Sequence, residues 1–465
     1  MSPTQKPNVL FILTDDQRYD TIAALGNPII QTPHMDFLVD HGTAFTKAHI
    51  PCGTSGAICM PSRAMIHTGR TLFHLYREGQ DILPTHTTLG ECLKSAGYQT
   101  FGTGKWHNGT AAFNRSFEDG SAIFFGGMWD HWNVPVCHYD PAGLYDNEIN
   151  TIPNFYASNE IDRVHCDQIT PGRHSTELIS HEAIRFINHM ENEPFFLYVS
   201  FLAPHDPRSM PEAFHRLYDP DQISLPDNFM TEHPFCYGIE SIRDETLAKR
   251  PRDPKEIRRH IAEYYAMISH LDYEIGRILE ALEQTGKADR TLVILAGDNG
   301  LALGQHGLMG KQNCYEHSIR IPLIFSGPGI PEGLLCDQYV YLLDIFPTLC
   351  DLLKIDHPKS VEGLSLCPLM QNPNKPLRET LYFAYTDLIR AVKDDRFKLI
   401  EYKGQTRHTQ LFDLKADPSE RQNLYGSPGS DPTVSRLRSE LKRYRDLWEE
   451  EKHPLGASFW LHSGL

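Results

Sequence analysis

NVLFILT, residues 8–14, is followed directly by Asp15 and Asp16. The run is apolar without alternation, which suits a strand covered on both faces, as in a parallel sheet sandwiched by helices. Three further runs share the plan. Gln99 to Thr103 leads to Lys105 and His107, Phe195 to Ala203 leads to His205, and Thr291 to Ala296 leads to Asp298 and Asn299. Open sheets of this kind bind ligands beyond the carboxyl ends of their strands. The four runs therefore aim polar groups at one edge. Helical segments between them complete an α/β alternation. The clearest starts at Asp253 and Pro254, a capping residue with proline at the first helical position. It carries Ile257, Ile261, Tyr264, Ile268, Leu271, Ile275, Ile278 and Leu282 at spacings of three and four, and ends at Gly286.

Working outward, Asp344 to Leu353 reads as another packed helix, and the Pro- and Asn-rich stretch Gln371 to Pro376 marks a boundary. Residues 1–370 are expected to form a large α/β domain and residues 371–465 a smaller α+β subdomain. In the latter, Thr380 to Tyr385, Leu388 to Lys393, Phe397 to Tyr402 and Gln410 to Leu414 read as a four-stranded antiparallel sheet, followed by a helix over Pro432 to Glu450.

The chain has 465 residues, with 44 Lys and Arg against 60 Asp and Glu, a formal charge of −16. That balance argues against non-specific nucleic-acid binding, which draws its affinity from Lys and Arg on phosphates, and against a basic membrane-surface protein. Hydrophobic residues at 40% and charged residues at 22% describe a globular chain, and the longest apolar runs are too short to span a bilayer. Residues 1–8 lack the zones of a signal peptide, so the chain as written is expected in the cytoplasm, or in the periplasm or outside if an export signal has been trimmed. The ten cysteines form no C-x-x-C pair and read mostly as reduced, buried small hydrophobes.

Asp15, Asp16, Asp298 and Asn299 offer only oxygen ligands. Such a set fits Ca²⁺ or Mg²⁺ better than zinc, although the same dipeptides also serve as plain turn residues. Cys59 to Arg70 reads CMPSRAMIHTGR. Pro61 and Ser62 suit the first turn of a helix that runs to about Thr68 and is closed by Gly69. Cys59 then stands at a helix N-terminus, where free N–H groups favour an anion, with Arg63 one turn in on about the same face.

Cys59-Met60-Pro61-Ser62-Arg63 followed by Thr68-Gly69-Arg70 resembles the signature of type I sulfatases of the alkaline phosphatase-like superfamily. Asp15-Asp16, Gly104-Lys105-Trp106-His107, Ala203-Pro204-His205, Asp298-Asn299-Gly300, His306-Gly307 and Gly310-Lys311 match further family blocks in order, and Leu411 to Leu424 resembles the C-terminal subdomain. The resemblance implies a large mixed sheet between helices and a cysteine, Cys59, converted by a maturase to Cα-formylglycine. It implies one divalent ion, usually Ca²⁺, on Asp15, Asp16, Asp298, Asn299 and modified Cys59. Arg63, Lys105, His107, His205 and Lys311 would surround the sulfate. A formylglycine hydrate carries two hydroxyls on one carbon: one attacks sulfur and expels the alcohol, the other loses its proton as sulfate leaves. His107 is assigned as base for that proton, His205 and Lys311 as partners of the departing oxygen, and Arg63 with Lys105 as holders of the hydrate and sulfate oxygens.

Phe124 to Asp140, FFGGMWDHWNVPVCHYD, gathers aromatics, His and Asp in an expected loop-rich insertion, and Arg208 follows His205 closely. Trp129, His131 and Arg208 are candidate contacts for a sugar ring, or else lid and core packing. The resulting expectation is a sulfatase acting on a sulfated small molecule or oligosaccharide. An aryl sulfatase or a phosphonate or phosphate ester hydrolase of the same superfamily is the alternative. A non-catalytic anion- and metal-binding protein, with Cys59 left as a thiol, is the alternative of another class.

Overall fold

The computed structural model describes residues 6–463 apart from 155, 157, 158, 192, 193 and 405. At its centre lies an eight-stranded mixed sheet. The four runs read from the sequence are four adjacent, mutually parallel strands, in the order Thr291–Gly297, Asn8–Thr14, Phe195–Ser200, Gln99–Lys105. Asp119–Phe124 continues the parallel set at one edge. On the other side Leu323–Ser326 and Gly42–Phe45 pair antiparallel, and Leu334–Cys336 closes the edge.

Burial on both faces explains the missing alternation. Every residue of Asn8–Thr14 is buried. Val9, Phe11 and Leu13 point into one apolar cluster, with Ala64, Met65 and Ile66 of the helix Cys59–Thr68 and with Leu349 of the helix Ile345–Leu353. Leu10 and Ile12 point into the other, with Ile179 of the helix Ser175–His189 and Ile268 of the helix Pro254–Gln284. The last of these is capped as its sequence demands: the Asp253 side chain accepts from the N–H groups of Lys255 and Glu256, and Gly286 follows at φ 65°.

The C-terminal sheet contains the four expected antiparallel strands, Leu381–Tyr385, Ile389–Lys393, Phe397–Tyr402 and His408–Asp413, covered by the helix Asp431–Leu447. A fifth strand was not foreseen. Cys52–Gly53, seven residues before Cys59, pairs parallel with Leu381–Tyr385. The chain leading to the helix Cys59–Thr68 is thus stitched into the C-terminal sheet. No helix among the described residues is long and apolar enough to cross a membrane.

Candidate active site

Because the four central strands are parallel neighbours, the residues after their C-termini meet. Asp15 and Asp16 leave the first strand, and the Asp16 N–H donates to Asp298 Oδ1 at 3.0 Å. Asn299 Nδ2 donates to Asp16 Oδ1 at 2.6 Å. A bulge between Thr103 and Gly104 re-aims the strand end that carries Lys105. Gly104 is required there: its φ is 88°, and a Cβ would lie 1.8 Å from the Ser200 carbonyl oxygen. Asp16 and His107 are held at φ 66° and 72°, a conformation rare for side-chain-bearing residues and typical of sites that the surrounding fold over-determines.

The helix Cys59–Thr68, ended by Gly69 at φ 63°, brings its N-terminus to this edge. Ser62 Oγ donates to the Asp298 carbonyl at 2.5 Å. Arg63 is fully buried and spans three strand ends: Nε donates to Asp298 Oδ2 at 2.9 Å, Nη1 to the Lys105 carbonyl at 2.8 Å and to Ser200 Oγ at 2.6 Å. Lys105 Nζ lies 2.5 Å from Asp15 Oδ2 and 3.5 Å from Cys59 Sγ. His107 Nδ1 stands 3.4 Å from the same sulfur. Lys311 Nζ donates to Asp16 Oδ1 at 2.5 Å, and His205 Nε2 lies 3.6 Å from Asp16 Oδ2.

Electrostatics follow from crowding charges in a dry site. Burial alone would raise the Asp15 carboxyl, but Lys105, His205, Arg63 and Lys311 together pull it below the carboxylate range. Burial, with Asp15 beside it, pushes Asp298 up to about 7. Burial pulls His107 down to about 2 with help from Lys105 and Arg63, and pulls His205 down to about 4, so both imidazoles are neutral at neutral pH. Burial alone would lower Lys311, but Asp16, Cys59, Asp244 and Asp15 together outweigh it and hold the ammonium protonated. The Cys59 thiol is raised by burial in spite of Lys105 and Lys311. A thiol in that state is a poor nucleophile, because the thiolate is the reactive form.

The residues present fit a hard divalent cation. Asp15 Oδ1 and Asn299 Oδ1 are buried oxygens without a hydrogen-bond partner, which is what a cation ligand looks like when only protein atoms are counted. Asp15, Cys59 and Asp298 bring ligand atoms within 4.8 Å of one another, as do Asp15, Asp16 and His205. Oxygen donors dominate, as Ca²⁺ and Mg²⁺ require.

The three candidate substrate contacts fall in different layers. Trp129 is 36% exposed, two residues from Gly127, where a Cβ would lie 3.0 Å from the His107 ring. His131 is buried, with Nδ1 on Ser175 Oγ at 2.7 Å and Nε2 on the His205 carbonyl at 2.8 Å, one layer behind the site. Arg208 stands beside His260 and Tyr264. His306 stacks on Tyr315 at 3.9 Å between ring centres.

Glu245 escaped the sequence reading. Its buried carboxylate accepts the N–H groups of Met309 at 3.1 Å and Gly310 at 2.9 Å, immediately before Lys311. Arg250 and Arg252 reach its other oxygen at 3.0 and 2.5 Å. Tyr264 was read only as a helix-core residue, yet its hydroxyl donates to the Asp16 carbonyl at 2.5 Å. Neither carries a local signal, since a glutamate in the run RDET reads as solvent-facing.

Residues 7–355 match the protein-family model described as Sulfatase, and residues 304–447 the one described as N-sulphoglucosamine sulphohydrolase, C-terminal. An arylsulfatase of Clostridium perfringens is 29% identical over 481 aligned residues, covering 96% of this chain and 95% of its own. An N-acetylglucosamine-6-O-sulfatase of Bacteroides thetaiotaomicron is 25% identical, covering 97% and 88%. Among solved structures, that of BT4656 in complex with its substrate D-glucosamine-2-N,6-O-disulfate superposes with a TM-score of 0.78 at 22% identity, over 97% of this chain and 99% of that one.

Proposed function

The chain belongs to the sulfatase family and is a sulfuric ester hydrolase, and from that premise we propose that it releases sulfate from a sulfated carbohydrate, with Cys59 converted to Cα-formylglycine. The observation that carries the reading is the convergence of Lys105 on both Asp15 and Cys59, at 2.5 and 3.5 Å, beside the neutral ring of His107. When present, the formylglycine hydrate supplies the attacking hydroxyl, and a divalent cation, Ca²⁺ with Mg²⁺ as the alternative, supplies positive charge. Asp15, Asp16, Asp298, Asn299 and modified residue 59 would hold that cation.

The chain's own residues do the rest. Arg63, locked by three hydrogen bonds, and Lys105 fix the position of residue 59 and offset charge on the sulfate oxygens. Aiming fixed cations at developing charge is usually the largest catalytic contribution. His107, neutral and 3.4 Å from Cys59 Sγ, is placed to take a proton from the group at position 59. Lys311 and His205 flank Asp16 and stand ready to neutralise the departing alcohol oxygen. His131 steadies His205 through its carbonyl. One water is consumed, and an alcohol and inorganic sulfate leave.

Two lines support a sugar as the alcohol. One relative is an N-acetylglucosamine-6-O-sulfatase, and exposed Trp129, two residues along the chain from Gly127 beside the His107 ring, offers an aromatic surface. The modification requires a formylglycine-generating maturase in the host. A panel of defined sulfated saccharides, run beside an aryl sulfate and an aryl phosphonate, tests the proposal by release of sulfate. Preferred turnover of a saccharide sulfate supports it. Wide preference for the phosphonate overturns it.

A further inference from the structure

Arg208 lies three residues after His205 yet makes no contact with the sulfate-binding set. Its Nη1 lies 3.1 Å from His260 Nδ1, and the guanidinium stands 5.8 Å from the centre of the Tyr264 ring. Since the Tyr264 hydroxyl donates to the Asp16 carbonyl, one tyrosine ring separates Arg208 from the candidate cation ligands. Arg208 Nε and Nη2 are closed to solvent and have no hydrogen-bond partner. Among the described residues, no carboxylate oxygen lies within 4.0 Å of the guanidinium.

Arg208 is half-buried as a whole, but its Nε and Nη2 are withdrawn from water with neither a hydrogen-bond partner nor a carboxylate in contact, an arrangement explained better by a ligand than by folding. Burial pulls the Arg208 pKa below its ordinary value, with Tyr264, Asp16, Glu263 and Asp244 compensating only from a distance. The two unpartnered nitrogens form the side-on edge of the guanidinium. Their parallel N–H groups match the spacing of two oxygens on one carboxylate or sulfate. His260 accepts from Arg208 at Nδ1, so its neutral ring carries the proton on Nε2, which also lacks a partner.

We propose that the Nε–Nη2 edge of Arg208 binds a second anionic group of the substrate, a carboxylate or a further sulfate on the same or the adjoining sugar ring. The preferred substrate is then a polyanionic saccharide. This deepens the sulfated-carbohydrate reading and rests on it.

The test compares wild type, Arg208→Met and Arg208→Lys on three saccharides of one backbone: monosulfated and otherwise neutral, disulfated, and monosulfated with a uronate carboxylate. Sulfate release gives kcat and KM, titration calorimetry gives affinity, and circular dichroism checks folding. Wild type should prefer one dianion at least ~10-fold in kcat/KM, mainly through KM, and which dianion it is identifies carboxylate or sulfate. Arg208→Met should erase that preference and Arg208→Lys keep part of it, because a point charge lacks the fork. Equal preference in wild type and Arg208→Met overturns the proposal, as does a wild type indifferent to both dianions in KM and affinity. If wild type frees sulfate from none of the three, the sulfatase reading fails, while the calorimetric comparison still decides the role of Arg208.

Discussion

Replacing Glu245 with alanine removes a carboxylate that touches neither Cys59 nor any candidate cation ligand and yet sets the loop of Lys311. Four groups converge on it: the Met309 and Gly310 N–H groups at 3.1 and 2.9 Å, and the Arg250 and Arg252 guanidinium groups at 3.0 and 2.5 Å. Both Glu245 and Arg252 are buried. Breaking a buried ion pair by removing one partner costs ~3 to 5 kcal/mol, and each orphaned N–H alone costs ~1 to 3 kcal/mol, so a stability loss of about 3 to 5 kcal/mol is expected. The backbone before Lys311 then relaxes, and kcat should fall ~10- to 100-fold with KM changed less, as for loss of a contact made in the transition state. Glu245→Gln keeps an oxygen for the two N–H groups but turns an amide donor toward two guanidinium groups, and should fall between alanine and wild type. Urea unfolding and steady-state sulfate release measure both effects. A loss below ~1 kcal/mol with unchanged kcat would refute the reasoning, since buried unpaired groups cannot be that cheap.

Arg63→Lys should lower kcat/KM ~30- to 1,000-fold, because an ammonium cannot serve Asp298, the Lys105 carbonyl and Ser200 at once; near wild-type kinetics would contradict the clamp. Added Ca²⁺ or Mg²⁺ should raise the unfolding free energy by ~2.7 kcal/mol at a hundredfold excess over Kd, a chelator should reverse the rise, and Asp15→Asn should abolish it; calorimetric silence would count against the oxygen ligands. His131, His174 and His270 adjoin in a row at 5.1 and 4.7 Å, and burial pulls them down to about 4, 2 and 4, with repulsion from His205 helping at His131, from His131 and His270 at His174, and from His131 at His270. The unfolded chain binds more protons than the folded one below the unfolded histidine pKa of ~6.5, so stability is whole above that pH and falls as pH drops, by up to ~4 kcal/mol per unit for three groups. Urea midpoints at pH 7.5 and 5.5 read this slope, to which the other buried imidazoles such as His107 and His205 add, and His270→Phe should reduce it by up to ~1.4 kcal/mol per unit; a midpoint indifferent to pH would exclude buried neutral histidines.

Most of the site was legible because parallel strands do the assembling. Once NVLFILT and its three counterparts are strands of one sheet, the residues after them must meet at one edge, and Asp15, Lys105, His205 and Asp298 do. Cys59 and Arg63 were legible for another reason, a capped helix whose N-terminus can face an anion. What stayed hidden depends on long-range pairing. Cys52–Gly53 is too short to read as a strand, and its partner lies at Leu381–Tyr385. His131 sits in an aromatic-rich insertion that suggested direct contact, but its ring is buried with both nitrogens engaged. Glu245 stands in a charged run, and only its tertiary partners reveal the role. The start of the last strand, His408 rather than Gln410, was set by cross-strand pairing of His408 and Thr409 with Tyr402 and Glu401.

The most direct measurement is the mass of the proteolytic peptide bearing residue 59, taken from protein purified from its native host and shown to release sulfate. The account predicts the mass of an aldehyde or its hydrate in place of the thiol. An intact thiol in protein that turns over at full rate would contradict it.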